Sequence, residues 1–199
     1  MRRLRGPALT AVLATALAAC GSDGSSTSSE SSPVPSVKAP LPSSRPTDSA
    51  AHLPSARPVD ELDASEVVLE WARLAYSYDT MYDIHPHTAF LRADRYLTVD
   101  RRAAERAYRP ASAPGAQWGT WSSHAAWITA AVELTAPDED TPADTTVLAY
   151  RAVVVQGAAH GRDGWKGTGP RLRAYLTLVR EEASDPWRIS QITTNEATD

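Results

Sequence analysis

The chain has 199 residues, with 20 Lys and Arg against 24 Asp and Glu, a formal charge of −4 and one cysteine. No basic stripe runs along it, which argues against a nucleic-acid-binding protein held by phosphate contacts. A single cysteine excludes an intramolecular disulfide, so the fold must hold by packing.

The N-terminus reads Met1-Arg2-Arg3-Leu4-Arg5, a short cationic head, and an apolar run follows from Ala8 to Ala19. That run falls short of the about 20 apolar residues that a membrane-spanning helix needs. A charged head, a short apolar core and small residues at its end describe a secretory signal peptide over residues 1–19. The last residues, Leu17-Ala18-Ala19-Cys20 with Gly21 behind them, resemble the lipobox of bacterial lipoproteins. The resemblance implies cleavage before Cys20, a diacylglyceryl group on its sulfur, and a protein lipid-anchored on the outer, extracytoplasmic face of the cell membrane. Two acyl chains anchor a protein stably where one holds it only marginally. Modification also removes a thiol otherwise open to oxidation. The alternative is an ordinary cleaved signal with Cys20 unmodified. Loss of residues 1–19 takes away three arginines and no acid, moving the formal charge to −7.

From Gly21 to Asp60 the chain is Ser, Pro, Gly and Ala with scattered charges and no apolar periodicity. Such a composition buries too little surface to offset its chain entropy, so residues 20–61 are expected to form a disordered tether. As a flexible coil it would reach roughly 35 Å, and its prolines would stretch it further. The remainder, residues 62–199, suits a single domain.

Asp63-Ala64-Ser65-Glu66 has the composition of a helix start, an acceptor at the cap with a glutamate three residues on. Val67, Val68, Trp71, Leu74, Ala75 and Tyr78 then recur at helical spacing, while Glu66, Glu70, Arg73 and Ser77 take the other face. The spacing predicts an amphipathic helix of about four turns. Pro86 is placed to open a second helix with Ala89, Phe90, Ala93, Tyr96 and Leu97 inward. Thr98 is placed to cap a third, which Arg109-Pro110 and Pro114-Gly115 stop. After Gly115 the period changes. Ile128, Ala130, Val132 and Leu134 alternate with Trp127, Thr129, Ala131 and Glu133, Val147 to Gln156 is a longer β run, and Leu172 to Leu178 alternates again. A glycine-rich loop is expected from Gly157 to Pro170, and Trp187 to Thr194 closes the sheet. Helices first and an antiparallel meander afterwards predict an α+β fold, with N-terminal helices packed on a curved four-stranded sheet.

That order resembles the cone-shaped nuclear-transport-factor-two-like superfamily. Within it, the stretches "YSYDTMYDIHP", "ADRYLTVDRRAAERAY", "PGAQWGTWSSHAAW", "AYRAVVVQGAAHGRDGW" and "WRISQI" are similar to actinobacterial extracytoplasmic proteins linked to conjugal transfer. Those proteins are distant relatives of an assembly component of type IV secretion systems. Many are held by a transmembrane helix, and this chain departs from them in carrying a lipobox. The resemblance implies a scaffold or accessory part of a conjugation or secretion apparatus, with a protein partner.

Enzymes of the same superfamily place Asp, His or Tyr inside the cone, where burial tunes a carboxyl for acid/base work. Here Tyr78, Asp79, Tyr82, Asp83 and His124 are the polar residues expected nearest such a mouth, although no catalytic motif matches. Asp83, His85 and His87 offer oxygen and nitrogen ligands, yet no spacing supplies the further ligands that zinc requires. No metal and no cofactor is expected. Among the tryptophans, Trp187 reads as core. Trp165, in "GRDGWKGTG", reads as an exposed aromatic suited to partner binding. That loop lacks the spacing and terminal Lys-Ser/Thr of a phosphate-binding loop. The expectation is a binding or assembly module, and the alternative is a small-ligand-binding or hydro-lyase-like enzyme using the cone interior.

Overall fold

The computed structural model describes residues 51–136, 139 and 141–196. Cys20, the signal-like head and the tether up to residue 50 lie outside these residues. Helix α1 covers Ala64–Ala75, strand β1 Tyr78–Asp79, helix α2 Pro86–Arg92, helix α3 Val99–Ala107 and helix α4 Ala116–Ser123. Strands β2 (Trp127–Leu134), β3 (Leu148–His160), β4 (Lys166–Val179) and β5 (Arg188–Glu196) complete the domain. The fold is α+β, with a five-stranded antiparallel sheet in the order β1-β2-β3-β4-β5 that curls into a half-barrel.

The caps follow local chemistry. The Asp63 carboxylate accepts the Ser65 and Glu66 N–H groups at the start of α1. His85 Nδ1 accepts from the His87 N–H before Pro86 begins α2, and Thr98 Oγ1 accepts from the Arg101 N–H to open α3. Val67, Val68, Trp71 and Leu74 of α1 are buried in one cluster with Ile128, Val153, Val155, Leu176, Leu178 and Ile189 of the sheet. Trp71 is 0 % exposed and meets the edges of Tyr76 and Phe90 at ring distances of 5.9 and 5.3 Å.

Several expectations need correction. The sheet has five strands, not four, because Tyr78 and Asp79 leave the helix and pair with Ile128 and Trp127. Helix α1 therefore ends at Ala75, after about three turns. Helix α2 stops at Arg92, and Tyr96 reaches the core from a short 3-10 turn at Asp94–Tyr96. Phe90, expected inward, is half-buried. Helix α4 was not anticipated; its Trp118 and Trp121 pack on Tyr78, and Trp121 Nε1 donates to the Thr168 carbonyl at 3.0 Å.

The glycine-rich loop from Gly157 to Pro170 is mostly strand. Only residues 161–165 turn between β3 and β4. The glycines are there because two backbones nearly touch: a Cβ built on Gly169 would lie 2.7 Å from Gly157 Cα. The register shifts between Gln156 and Ala158 at this bulge, where the interrupted ladder tolerates Pro170, which has no N–H to donate.

Residues 51–61, expected as tether, lie along α1 instead. The Arg57 N–H donates to Glu70 at 2.7 Å, Arg73 Nη2 to the Ser55 carbonyl at 2.6 Å, and the Trp187 N–H to the Glu61 carbonyl at 2.8 Å. This cover explains why Glu70 is buried although the helical spacing placed it outward. Ser77, also expected outward, is buried with its hydroxyl accepting the Ala130 N–H at 3.1 Å. Among the described residues no helix is long and apolar enough to cross a membrane.

Candidate functional site

The polar candidates fall into two groups. The first surrounds β1. Asp79 is 0 % exposed and accepts four N–H groups: His52 at 2.8 Å and Met81 at 3.1 Å from the backbone, and Arg162 Nη1 at 3.1 Å and Nη2 at 2.8 Å. Burial pulls this carboxyl upward. The Arg162 fork and the two backbone donors outweigh it and hold Asp79 below the usual carboxylate range. Asp83, 2 % exposed, lies beside it and accepts the Asp79 N–H at 2.9 Å together with Arg92 Nη1 at 2.5 Å and Nη2 at 3.1 Å.

Two buried carboxylates side by side are a common source of acid/base chemistry when they share a proton. Here no hydrogen bond joins carboxylate to carboxylate. Each has its own guanidinium, and the link between them is a backbone N–H. Asp79 accepts four N–H groups and Asp83 three. Tyr78 is buried, and desolvation together with Tyr76 and Asp83 pushes its phenol far above the ordinary range. Tyr82 is half-buried, and its N–H donates to the Asp79 carbonyl at 2.9 Å. Asp79 and Asp83, with Arg162 and Arg92, form a knot tying β1, α2 and the β3–β4 turn together.

The second group sits where α4 meets the β3–β4 turn. His124 is the C-cap of α4. Ala125 follows in the left-handed region (φ 45), and the Ala125 and Ala126 N–H groups bond back to the Ser122 and Trp121 carbonyls. This is a Schellman closure with alanine where glycine is usual. It aims the His124 ring at the turn, where Nδ1 meets Asp163 Oδ2 at 2.7 Å and the ring stacks on Trp165 at 4.3 Å with a 1° interplanar angle. His124, then the Trp165 N–H, hold the Asp163 carboxyl below its usual range.

Sequence reasoning named His124 and Trp165 for opposite roles, and the fold places them in contact. It overlooked Asp163, Arg162 and Arg92. Trp165, expected exposed, is half-buried: His124 covers one face, and the ring lies over Gly167, where any Cβ would strike it. An aspartate–histidine pair has the parts of a general base. Cavities of about 540 and 490 Å³ open elsewhere, and neither is lined by Asp79, Asp83, His124 or Trp165.

The three residues considered for zinc do not converge. Asp83 pairs with Arg92, His85 caps α2, and His87 Nε2 meets Glu105 at 3.1 Å. Among the described residues no group of three His, Cys, Asp or Glu side chains is placed to hold a metal ion. Compared with family models, curated proteins and solved structures, the chain matches none.

Proposed function

We propose that this chain is a lipid-anchored extracytoplasmic binding or assembly module, an accessory scaffold of a conjugation or secretion apparatus, and not an enzyme. The observation that carries the reading is the state of the helix-facing side of the sheet. It is filled by apolar side chains, and the buried carboxylates Asp79, Asp83 and Glu70 are each engaged by arginine. The alternative, an enzyme working in the interior, needs an open pocket holding a desolvated Asp or His with free lone pairs. The four lone-pair sites of Asp79 are filled by N–H donors, Asp83 accepts three more, and neither carboxylate lines a described cavity. Membership of the cone-shaped nuclear-transport-factor-two-like superfamily belongs to the same proposal, supported by helices preceding an antiparallel meander. The anchor on Cys20 is supported by the residues at 17–20. The partner is a protein, with no role for nucleic acid or a cofactor, and Trp165 remains the aromatic proposed to contact it.

The test uses the full chain in its native envelope, with variants matched for abundance. Trp165→Ala is expected to reduce partner recovery after crosslinking, and Asp83→Asn to leave recovery intact once folding is verified. Loss of function in a folded Asp83→Asn variant, with Trp165→Ala silent, would replace this reading with the pocket reading. Cys20→Ser is expected to leave the membrane fraction or to accumulate as unprocessed precursor; unchanged retention and processing would remove the anchor.

A further inference from the structure

The larger cavity, about 540 Å³, lies outside the β1 knot and away from His124. Strand register builds its floor. Across β3, β4 and β5, Tyr150 sits opposite Thr177 and Thr177 opposite Gln191; in the next row Ala152 sits opposite Tyr175 and Tyr175 opposite Thr193. These six residues alternate with the buried Ala149, Val153, Ala174, Leu176 and Leu178, so they occupy the sheet face turned away from the helices. The two tyrosines stand on one diagonal of the grid and the small Ala152 and Thr177 on the other, which leaves a slot flanked by two aromatic rings.

Thr135, Thr141 and Pro142 from the β2–β3 connection, Leu134 at the end of β2 and Ser65 at the start of α1 complete the lining. Residues 144 and 146, at the β3 end of that connection, are held by hydrogen bonds. Asp144 accepts the Tyr150 N–H at 3.1 Å and Arg151 Nη1 at 2.7 Å, and Arg180 Nε donates to the Thr146 carbonyl at 2.6 Å. The cavity's volume is that of an ordinary small-ligand site, about 300–1,000 Å³.

Its chemistry narrows the ligand. Among the described residues of the lining Arg151 is the charged one, and it is already engaged by Asp144, by Ser65 Oγ at 2.9 Å and by the Tyr150 carbonyl at 2.6 Å. An anionic ligand finds no free countercharge there, and a cationic one meets a guanidinium. A purely apolar ligand would strand the tyrosine and threonine hydroxyls and the Gln191 amide, none of which has a hydrogen-bond partner among the described residues. The lining asks for an uncharged ring with an apolar face for the tyrosines and several hydroxyls for the neutral donors and acceptors around them. We propose that this cavity is a binding site for a neutral saccharide, seated over Ala152 and Thr177 between Tyr150 and Tyr175.

The inference is independent of the scaffold reading, since it concerns a different surface. The test is saturation-transfer NMR on the full chain in detergent, with maltotriose, cellotriose and chitotriose as probes and benzoate as an anion of comparable ring size. Transfer to the ring protons of at least one trisaccharide is expected, with none to benzoate. Tyr150→Ala and Tyr175→Ala should each weaken binding about tenfold or more, as truncation of a central aromatic anchor does. Gln191→Leu, at an exposed position where folding is not at stake, should weaken it several-fold while the melting temperature stays at the parent value. Trp165→Ala should not change it. No transfer from any of the three trisaccharides at millimolar concentration, or transfer that survives Tyr175→Ala and Gln191→Leu unchanged, overturns the proposal. Preferential binding of benzoate does so as well.

Discussion

The buried pair Asp79–Arg162 gives the sharpest test of the β1 knot. Removing either partner of a buried ion pair costs about 3–5 kcal/mol, because the survivor keeps its charge without compensation. The two truncations should not be equal. Asp79 is 0 % exposed, so in Arg162→Ala its carboxylate is stranded with only the His52 and Met81 N–H groups. Arg162 keeps 21 % of its side chain exposed and retains the Ala125 carbonyl at 2.5 Å, so Asp79→Ala leaves a survivor able to reach water. Arg162→Ala is expected near the top of that range and Asp79→Ala near the bottom. The double variant should cost less than the sum, with a coupling of about 1–3 kcal/mol. Against a total stability of about 5–15 kcal/mol, each loss is large. The pair also sets an acid limb. The Asp79 carboxyl ionises more readily folded than unfolded, so the folded state binds fewer protons. Its contribution is complete above the ordinary aspartate value of about 3.9 and is lost as pH falls through the lower folded value. Urea unfolding followed by tryptophan fluorescence, at neutral pH and through the acid range, measures both effects. A double variant should lose part of the acid dependence. An Asp79→Ala protein within about 0.5 kcal/mol of the parent would refute the knot.

Three further outcomes bear on the frame around it. Trp71→Ala should cost about 3–5 kcal/mol, since it empties a fully buried indole site in a core without a disulfide; a denaturation midpoint equal to the parent's would show that α1 is wrongly registered. Ala125→Gly should raise stability by about 0.5–1 kcal/mol by relieving the left-handed alanine that ends α4; a loss would mean that the alanine methyl packs favourably there. Gly167→Ala should lift the Trp165 ring from its seat, lower stability by about 1–3 kcal/mol and shift tryptophan emission to longer wavelength; an unchanged spectrum would contradict the ring's position over Gly167.

What the sequence made legible was local and periodic. Val67 to Ala75 announce α1 because a helix packed on one side repeats its apolar residues with the helical period, and Asp63, Pro86 and Thr98 mark starts through chemistry confined to a few residues. Strand β1 was hidden because Tyr78 continues the helical stripe by one further step. What stops the helix is a partner 83 positions away, the guanidinium of Arg162. Helix α4 has two tryptophans, a glycine and two serines in eight residues, so it shows little amphipathic pattern even though both indoles are buried. Glycine misled in one direction. In "GRDGWKGTG" it reads as a loop, whereas Gly167 makes room for the Trp165 ring and Gly169 for the opposite backbone. The contact between His124 and Asp163 was hidden for the same reason as β1. His124 and Asp163 stand 39 positions apart, and no local spacing encodes that contact.

All but two of the 20 basic residues are arginine, and the fold gives a reason. With no disulfide within the described domain, the irregular segments need other fasteners. Each buried fastener has the same form: a guanidinium holds a carboxylate and, with its remaining donors, a backbone carbonyl. Arg73 joins Glu70 to the Ser55 carbonyl, Arg92 joins Asp83 to that of Ser77, and Arg162 joins Asp79 to that of Ala125. Arg151 repeats the pattern at the wall of the tyrosine slot with Asp144 and the Tyr150 carbonyl. A planar fork with five donors serves two acceptors in different directions, and a lysine ammonium does so without fixed geometry. The two surfaces proposed for recognition lie beside such fasteners, which hold a wall or a turn without filling the space next to it: the slot between Tyr150 and Tyr175 adjoins the Arg151–Asp144 pair, and the β3–β4 turn that carries Trp165 is held by Arg162.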